Sequence, residues 1–181
     1  EQDRQSAGTL IMKKLIIILI IIAGFFIAGC NEEAETKSNT APDTQSAVAD
    51  IEMEVLNGDN VTLNDLKGKV VALDFWASWC GPCRKSIPFY NKMHEKYADK
   101  GLVIIGINAN ENRSTIEGAI SELDIAYPVA MPNERMNQHF KVQGIPSMYL
   151  FDREGNQIDN FVGYSPELDN KIESLIIEQI D

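Results

Sequence analysis

Val70-Val71-Ala72-Leu73-Asp74-Phe75-Trp76 is apolar at every position but one, and a run of this length without alternation predicts a strand covered on both faces. Leu102-Val103-Ile104-Ile105-Gly106-Ile107 repeats the pattern. Ile51-Glu52-Met53-Glu54-Val55 alternates instead, as a half-buried strand does, and Val61 to Lys69 leads into the Val70 strand. From about Cys83 to Ala98 the period becomes helical, with Ile87, Tyr90, Met93 and Tyr97 on one face. Arg113 to Leu123 reads as a second helix, Ala126 to Met131 as a short strand and Glu134 to Phe140 as a third helix. Met148 to Phe151 and Ile158 to Val162 flank Asp152-Arg153-Glu154-Gly155-Asn156, a hairpin signal. Ser165 and Pro166 open a last helix whose stripe is Leu168, Ile172, Leu175, Ile176 and Ile180. Strands alternating with helices predict an α/β fold, a central sheet flanked by helices.

The first quarter of the chain follows another pattern. Lys13 and Lys14 precede an apolar stretch, Leu15 to Ala28. At 1.5 Å per residue it spans about 21 Å, short of the roughly 30 Å hydrocarbon core, so a cleaved signal fits better than an uncleaved short anchor. Either would leave the following domain on the same side of the membrane. Ile27-Ala28-Gly29-Cys30 resembles the bacterial lipobox, which implies an acylated Cys30 as a lipid anchor. Residues 1–11, with Glu1, Asp3 and Arg4, fit no signal peptide, so Met12 is the expected natural start. Asn31 to Ser46 is polar with no aromatic residue and reads as a flexible spacer. The expected organisation is residues 1–29 as upstream residues plus signal, 30–48 as lipidated cysteine and linker, and 49–181 as one domain. No internal repeat is visible.

The chain carries a formal charge of −11, and since residues 1–29 hold two acids and three bases, the charge from Cys30 onward is −12. Nucleic acid is therefore excluded as an expected partner.

Candidate chemistry lies at Trp79-Cys80-Gly81-Pro82-Cys83, where the Val70 strand hands over to the first helix. Two intervening residues let the thiols close into a disulfide and open again. A helix beginning near Cys80 aims unpaired N–H groups at that sulfur and favours its thiolate, which makes Cys80 the candidate nucleophile. Pro82 suits a first helical turn. Cys83, one turn deeper, is the candidate resolving thiol, and Asp74, an acid inside an apolar strand, is the candidate group to take its proton. The alternative for Asp74 is a polar residue at a strand edge. A zinc site would need further ligands, yet the two histidines, His94 and His139, lie in polar helical stretches and read as solvated. Haem attachment would need a histidine where Arg84 stands. No metal and no cofactor beyond the redox disulfide is expected.

Asp74 to Cys83 resembles the active-site segment of thioredoxins, and Gly144-Ile145-Pro146-Ser147-Met148-Tyr149-Leu150-Phe151 is similar to their cis-proline loop and the strand after it. Pro88 and Gly163 resemble the thioredoxin helix-kink proline and the glycine before the last helix. The resemblance implies a thioredoxin-like fold with a mixed sheet, and a cis bond before Pro146. The N-terminal strand region and the helix and strand inserted between Asn108 and Gly144 resemble the TlpA/ResA-like, membrane-tethered thioredoxins found outside the cytoplasm. That branch implies a disulfide reductase of the cell envelope, recharged by a membrane electron donor, with apocytochromes c among its targets. Gly81-Pro82 is the dipeptide of reducing thioredoxins. Where the cytochrome-maturation branch implies a glutamate three residues after the second cysteine, this chain has Ser86. Glu111 matches an acidic position near that branch's active site; the plain alternative is a solvated loop acid. An apolar collar of Trp79, Pro82, Ile145 and Pro146, with Gly81 beside it, is the expected recognition surface, and an extended target segment could pair beside Ile145. A monomer is expected. Competing readings are a peroxiredoxin-like lipoprotein peroxidase, whose Pro/Thr-bearing loop is missing from Trp76-Ala77-Ser78-Trp79, and a non-enzymatic envelope binding protein.

Overall fold

The computed structural model describes residues 48–180. The signal stretch, the start at Met12, the lipid anchor at Cys30 and the linker before Val48 lie outside the described residues. Among the described residues no helix is long and apolar enough to cross a membrane.

Five strands form one mixed sheet: β1 (Val70–Trp76), β2 (Leu102–Asn108), β3 (Val129–Ala130), β4 (Ser147–Phe151) and β5 (Gln157–Val162), in the order β3-β2-β1-β4-β5. β1 and β2 pair in parallel, as do β2 and β3, whereas β4 is antiparallel to both β1 and β5. Among the described residues four α-helices flank the sheet: α1 (Gly81–Tyr97), α2 (Arg113–Glu122), α3 (Glu134–Phe140) and α4 (Pro166–Ile180).

All seven residues of β1 are buried, and its two faces feed two cores. Val70, Ala72 and Trp76 pack with Ile87, Tyr90, Met93 and Tyr97 of α1 and with Ile172 and Ile176 of α4. Val71, Leu73 and Phe75 pack on the other side with Phe140, Tyr149 and Phe151, and with Ile51 and Met53. Because side chains alternate along a strand, Asp74 points to the α1 side, into the same core as Cys83.

Several boundaries differ from the sequence reading for identifiable reasons. The helix expected from Cys83 begins at Gly81, because the Cys80 sulfur caps it, 3.1 Å from the Cys83 N–H. The strand expected at Ile51 to Val55 keeps its alternation of buried and exposed residues but is no strand. Met53 bridges Val61 and Val55 bridges Ala130, so the segment divides its pairing between two partners. The strand expected at Ala126 to Met131 contracts to Val129–Ala130, after Pro128, which has no N–H to give. Both histidines are half-buried rather than solvated: His139 stacks edge-on to Phe140 at 4.8 Å, where burial holds its imidazole below the ordinary value.

The β4–β5 turn latches the last helix. Asp152 N–H donates to the Asn156 carbonyl at 2.9 Å, and Gly155 takes the left-handed φ of +88° that this turn needs. From the turn, the Arg153 guanidinium donates to the carbonyls of Gln179, Ile180 and Gly68 at 3.2, 3.1 and 3.0 Å. A cation thus meets the carbonyl end of α4, where the helix dipole favours it. At the sheet edges, β3 is two residues long and bonded on its outer side by Leu56 N–H to Val129 O, while β5 carries Gln157, Asp159 and Asn160.

Candidate active site

Cys80 and Cys83 are joined by a disulfide, with sulfurs 2.04 Å and Cα atoms 5.2 Å apart. Cys83 is fully buried and Cys80 is 4% exposed, so the outer sulfur alone is within reach of a partner. Cys80 lies at the N-cap of α1, where the first-turn N–H groups would stabilise a thiolate. Its sulfur is 3.6 Å from the Ile145 carbonyl, and the Ile145–Pro146 bond is cis. The Ser147 hydroxyl donates to Gly144 O at 2.6 Å and Gly163 N–H to Pro146 O at 2.8 Å, which fixes the loop opposite the disulfide.

Trp79 is 66% exposed, Gly81 and Pro82 are exposed and Ile145 is half-buried. Pro146, placed in the collar by the sequence reading, is instead buried beneath it, because its loop folds back onto the start of β4. Val162, across Gly144, and Tyr164 supply the exposed apolar surface on that side, and the sequence reading missed both. A shallow groove of about 290 Å³ runs from Trp79 past Ile145 to the amides of Asn110, Asn137 and Gln143.

Asp74 is wholly buried. Loss of solvent pushes its carboxyl up to about 7, and the Tyr127 hydroxyl, donating to Oδ2 at 3.1 Å, pulls weakly the other way. Burial and the neighbouring Asp74 charge hold the Tyr127 and Tyr90 phenols well above their ordinary value. Ser86 is buried, and its hydroxyl donates to the Cys83 carbonyl at 3.0 Å, so the position where the maturation branch has an acid holds a backbone-bound hydroxyl.

Glu111 is half-buried and tied to the loop before the disulfide. Its Oε2 accepts the Ser78 N–H at 2.7 Å and the Asn108 side-chain amide at 2.8 Å, and its Oε1 accepts the Ser78 hydroxyl. Burial raises the carboxyl, and these donors outweigh burial to leave it below the ordinary value. Arg84 Nη1 donates to Ser78 O at 3.2 Å, so Ser78 is held on both sides. Ser78 and Asn108 went unremarked in the sequence, although the Asn108–Glu111 spacing is the one signal that could have flagged them. Among the described residues no cluster of three or more His, Cys, Asp or Glu side chains could hold a metal ion.

Residues 36–176, most of the chain, match the family model described as Redoxin. The chain belongs to the Redoxin family. Within it, the chain is a TlpA/ResA-like protein of the thioredoxin superfamily. It is 34% identical over 109 residues to the thiol-disulfide oxidoreductase ResA of Bacillus cereus (strain ZK / E33L), a match that covers 60% of this chain and 63% of that one. The chain thus spans less than two thirds of that relative's length. It is 30% identical to the thioredoxin-like protein YneN of Bacillus subtilis (strain 168) over 151 residues, covering 81% of this chain and 87% of that one. A crystal structure from Chlorobium tepidum, described as a thiol:disulfide interchange protein DsbE, superposes with a TM-score of 0.69 at 32% identity. It covers 75% of this chain and 96% of that one. The fold of this Redoxin member is therefore thioredoxin-like, as its sequence resemblance implied.

Proposed function

We propose that this chain is a thiol-disulfide oxidoreductase that reduces protein disulfides outside the cytoplasm through the Cys80/Cys83 pair, tethered to a membrane by an acylated Cys30. The observation that carries the reading is one outer sulfur at a helix N-terminus, bonded to a buried sulfur that shares a core with a buried acid. In the reduced form the Cys80 thiolate attacks a target disulfide. One target sulfur leaves as a thiolate and the other is held in a mixed disulfide. Cys83 then gives its proton to Asp74, and the Cys83 thiolate attacks the Cys80 sulfur. That closes the Cys80–Cys83 disulfide and releases the second target thiolate, which takes a proton. The pair loses two electrons and the target gains them. No cofactor beyond the disulfide is required, and a membrane dithiol donor recharges the pair.

The collar of Trp79, Pro82 and Ile145 suits an extended polypeptide, which supports protein targets over small thiols. Apocytochromes c, whose cysteines must be reduced before haem attachment, are the targets the branch resemblance favours. The test is to equilibrate the purified chain against defined dithiothreitol ratios and to assay reduction of a protein disulfide. A potential near the roughly −270 mV of thioredoxin, together with activity lost in Cys80→Ser, supports a reductase. An oxidising potential near roughly −120 mV overturns that direction. Rapid peroxide consumption that needs Cys80 alone would transfer the site to a peroxidase.

A further inference from the structure

In the parallel β1–β2 register Asp74 lies opposite Gly106, a position without a side chain. A Cβ there would stand 3.0 Å from Trp76 Nε1 and 3.2 Å from Tyr127 Cε2. The missing side chain is what admits the Tyr127 ring, which enters from the segment between α2 and β3, to the acid on β1. Tyr127 is 3% exposed, its hydroxyl donates to Asp74 Oδ2, and the Tyr90 ring of α1 meets it edge-on at 6.3 Å. Asp74 Oδ1 has no hydrogen-bond partner. One oxygen of the acid is therefore occupied by a fixed donor and the other is open.

We propose that Tyr127 is the positioning residue of the proton step: its hydroxyl holds Asp74 Oδ2 and so presents Oδ1 to take the Cys83 proton. This rests on the reductase reading above and adds to it a residue from the segment between α2 and β3. The transfer is balanced: Cys83–SH and the Asp74 carboxylate become the Cys83 thiolate and the Asp74 carboxylic acid, and Tyr127 keeps its own proton. A phenol that donates to a carboxylate stabilises the ionised form. Without it, Asp74 keeps its proton to higher pH and is a base over a narrower range. The titratable groups around Asp74 are Tyr127, Tyr90 and the Cys80/Cys83 pair on α1, with Asp169 of α4 acting on Tyr90; Met148, opposite Asp74 on β4, is neutral. Both phenols stay protonated through the neutral range, so a limb near neutrality belongs to Asp74 and the thiols.

The experiment is the single-turnover rate of release from a Cys80 mixed disulfide, measured against pH in the full chain. Tyr127→Phe should move the rising limb up by about one pH unit. The rate below the limb then falls about tenfold while the high-pH plateau is kept. A purely structural role would lower the plateau and leave the limb in place. Asp74→Asn should remove the limb near neutrality and leave only the rise from ionisation of the Cys83 thiol at higher pH, and adding Tyr127→Phe to it should change nothing further. Gly106→Ala, which displaces the phenol without removing it, should reproduce the shift and carries the test if Tyr127→Phe does not fold. Limbs that coincide with the parent's in both variants overturn the assignment of Tyr127 and leave the reductase reading intact. A parent chain that releases no target thiol at any pH overturns the reductase reading, and this inference with it.

Discussion

An acid shut away from water resists ionisation, and at Asp74 that resistance has a sign that can be measured. Unfolded, the carboxyl ionises near 3.8; folded, near 7. Between those values the folded chain holds a proton that the unfolded chain has released. Stability therefore falls as pH rises from about 4 to about 7 and stays lower above that. Three pKa units correspond to about 4 kcal/mol. Asp74→Asn should accordingly raise the thermal unfolding midpoint above pH 7, with the advantage shrinking toward pH 5. The same variant should slow closure of the disulfide by ~100-fold at neutral pH, read by rapid-quench trapping of thiols. Cys83→Ser should block that same step outright and accumulate the Cys80 mixed disulfide, visible as a mass adduct that dithiothreitol removes. The two cysteines and Asp74 were legible because their chemistry is written in spacing and in an acid among apolar neighbours. Tyr127 was not, because its contact depends on Gly106 lying opposite Asp74, and strand register is absent from a single strand's pattern.

Two elements are held by polar latches that hydrophobic periodicity does not record. Glu111, beyond the end of β2, takes both donors of Ser78 and so fixes the loop that delivers Trp79 and Cys80 to the head of α1. Glu111→Gln keeps the shape but turns charge-assisted bonds into neutral ones. It should cost about 1–2 kcal/mol in denaturant unfolding and speed hydrogen exchange at the Ser78 amide. Since the folded carboxyl lies below its ordinary value, that stabilisation is full above the unfolded pKa and is lost as pH falls through the folded one. Arg153 does similar work at the far end of α4, and Arg153→Ala should lower stability by about 1–3 kcal/mol by leaving the carbonyls of Gln179, Ile180 and Gly68 without their cation. The helices themselves were readable almost to the residue, since a buried stripe such as Ile87, Tyr90, Met93 and Tyr97 sets both length and face. The Ile51 to Val55 segment was not, since its alternation says which side is buried and nothing about how many partners share its backbone.

Over the whole molecule the net charge of −11 sets a field that steers encounter more than it sets affinity. A basic protein disulfide should be reduced faster than an acidic one at low ionic strength, with the two rates converging as salt rises past about 0.15 M, where the Debye length is about 8 Å. Equal rates at all salt concentrations would locate recognition in the apolar collar alone. The collar is proposed above to take extended chain, and extended chain is also what a naked sheet edge attracts. Here β3 is too short to serve as a template and its outer backbone is already bonded by Leu56. On the other side β5 shows Asp159 paired with Lys171, and its pairing with β4 shifts register at Leu150/Phe151. Short, charged and irregular edges are poor seeds for cross-strand aggregation. On the proposed reading, a client strand held at Ile145 can be let go with little chance that it adds itself to the sheet and nucleates a fibre.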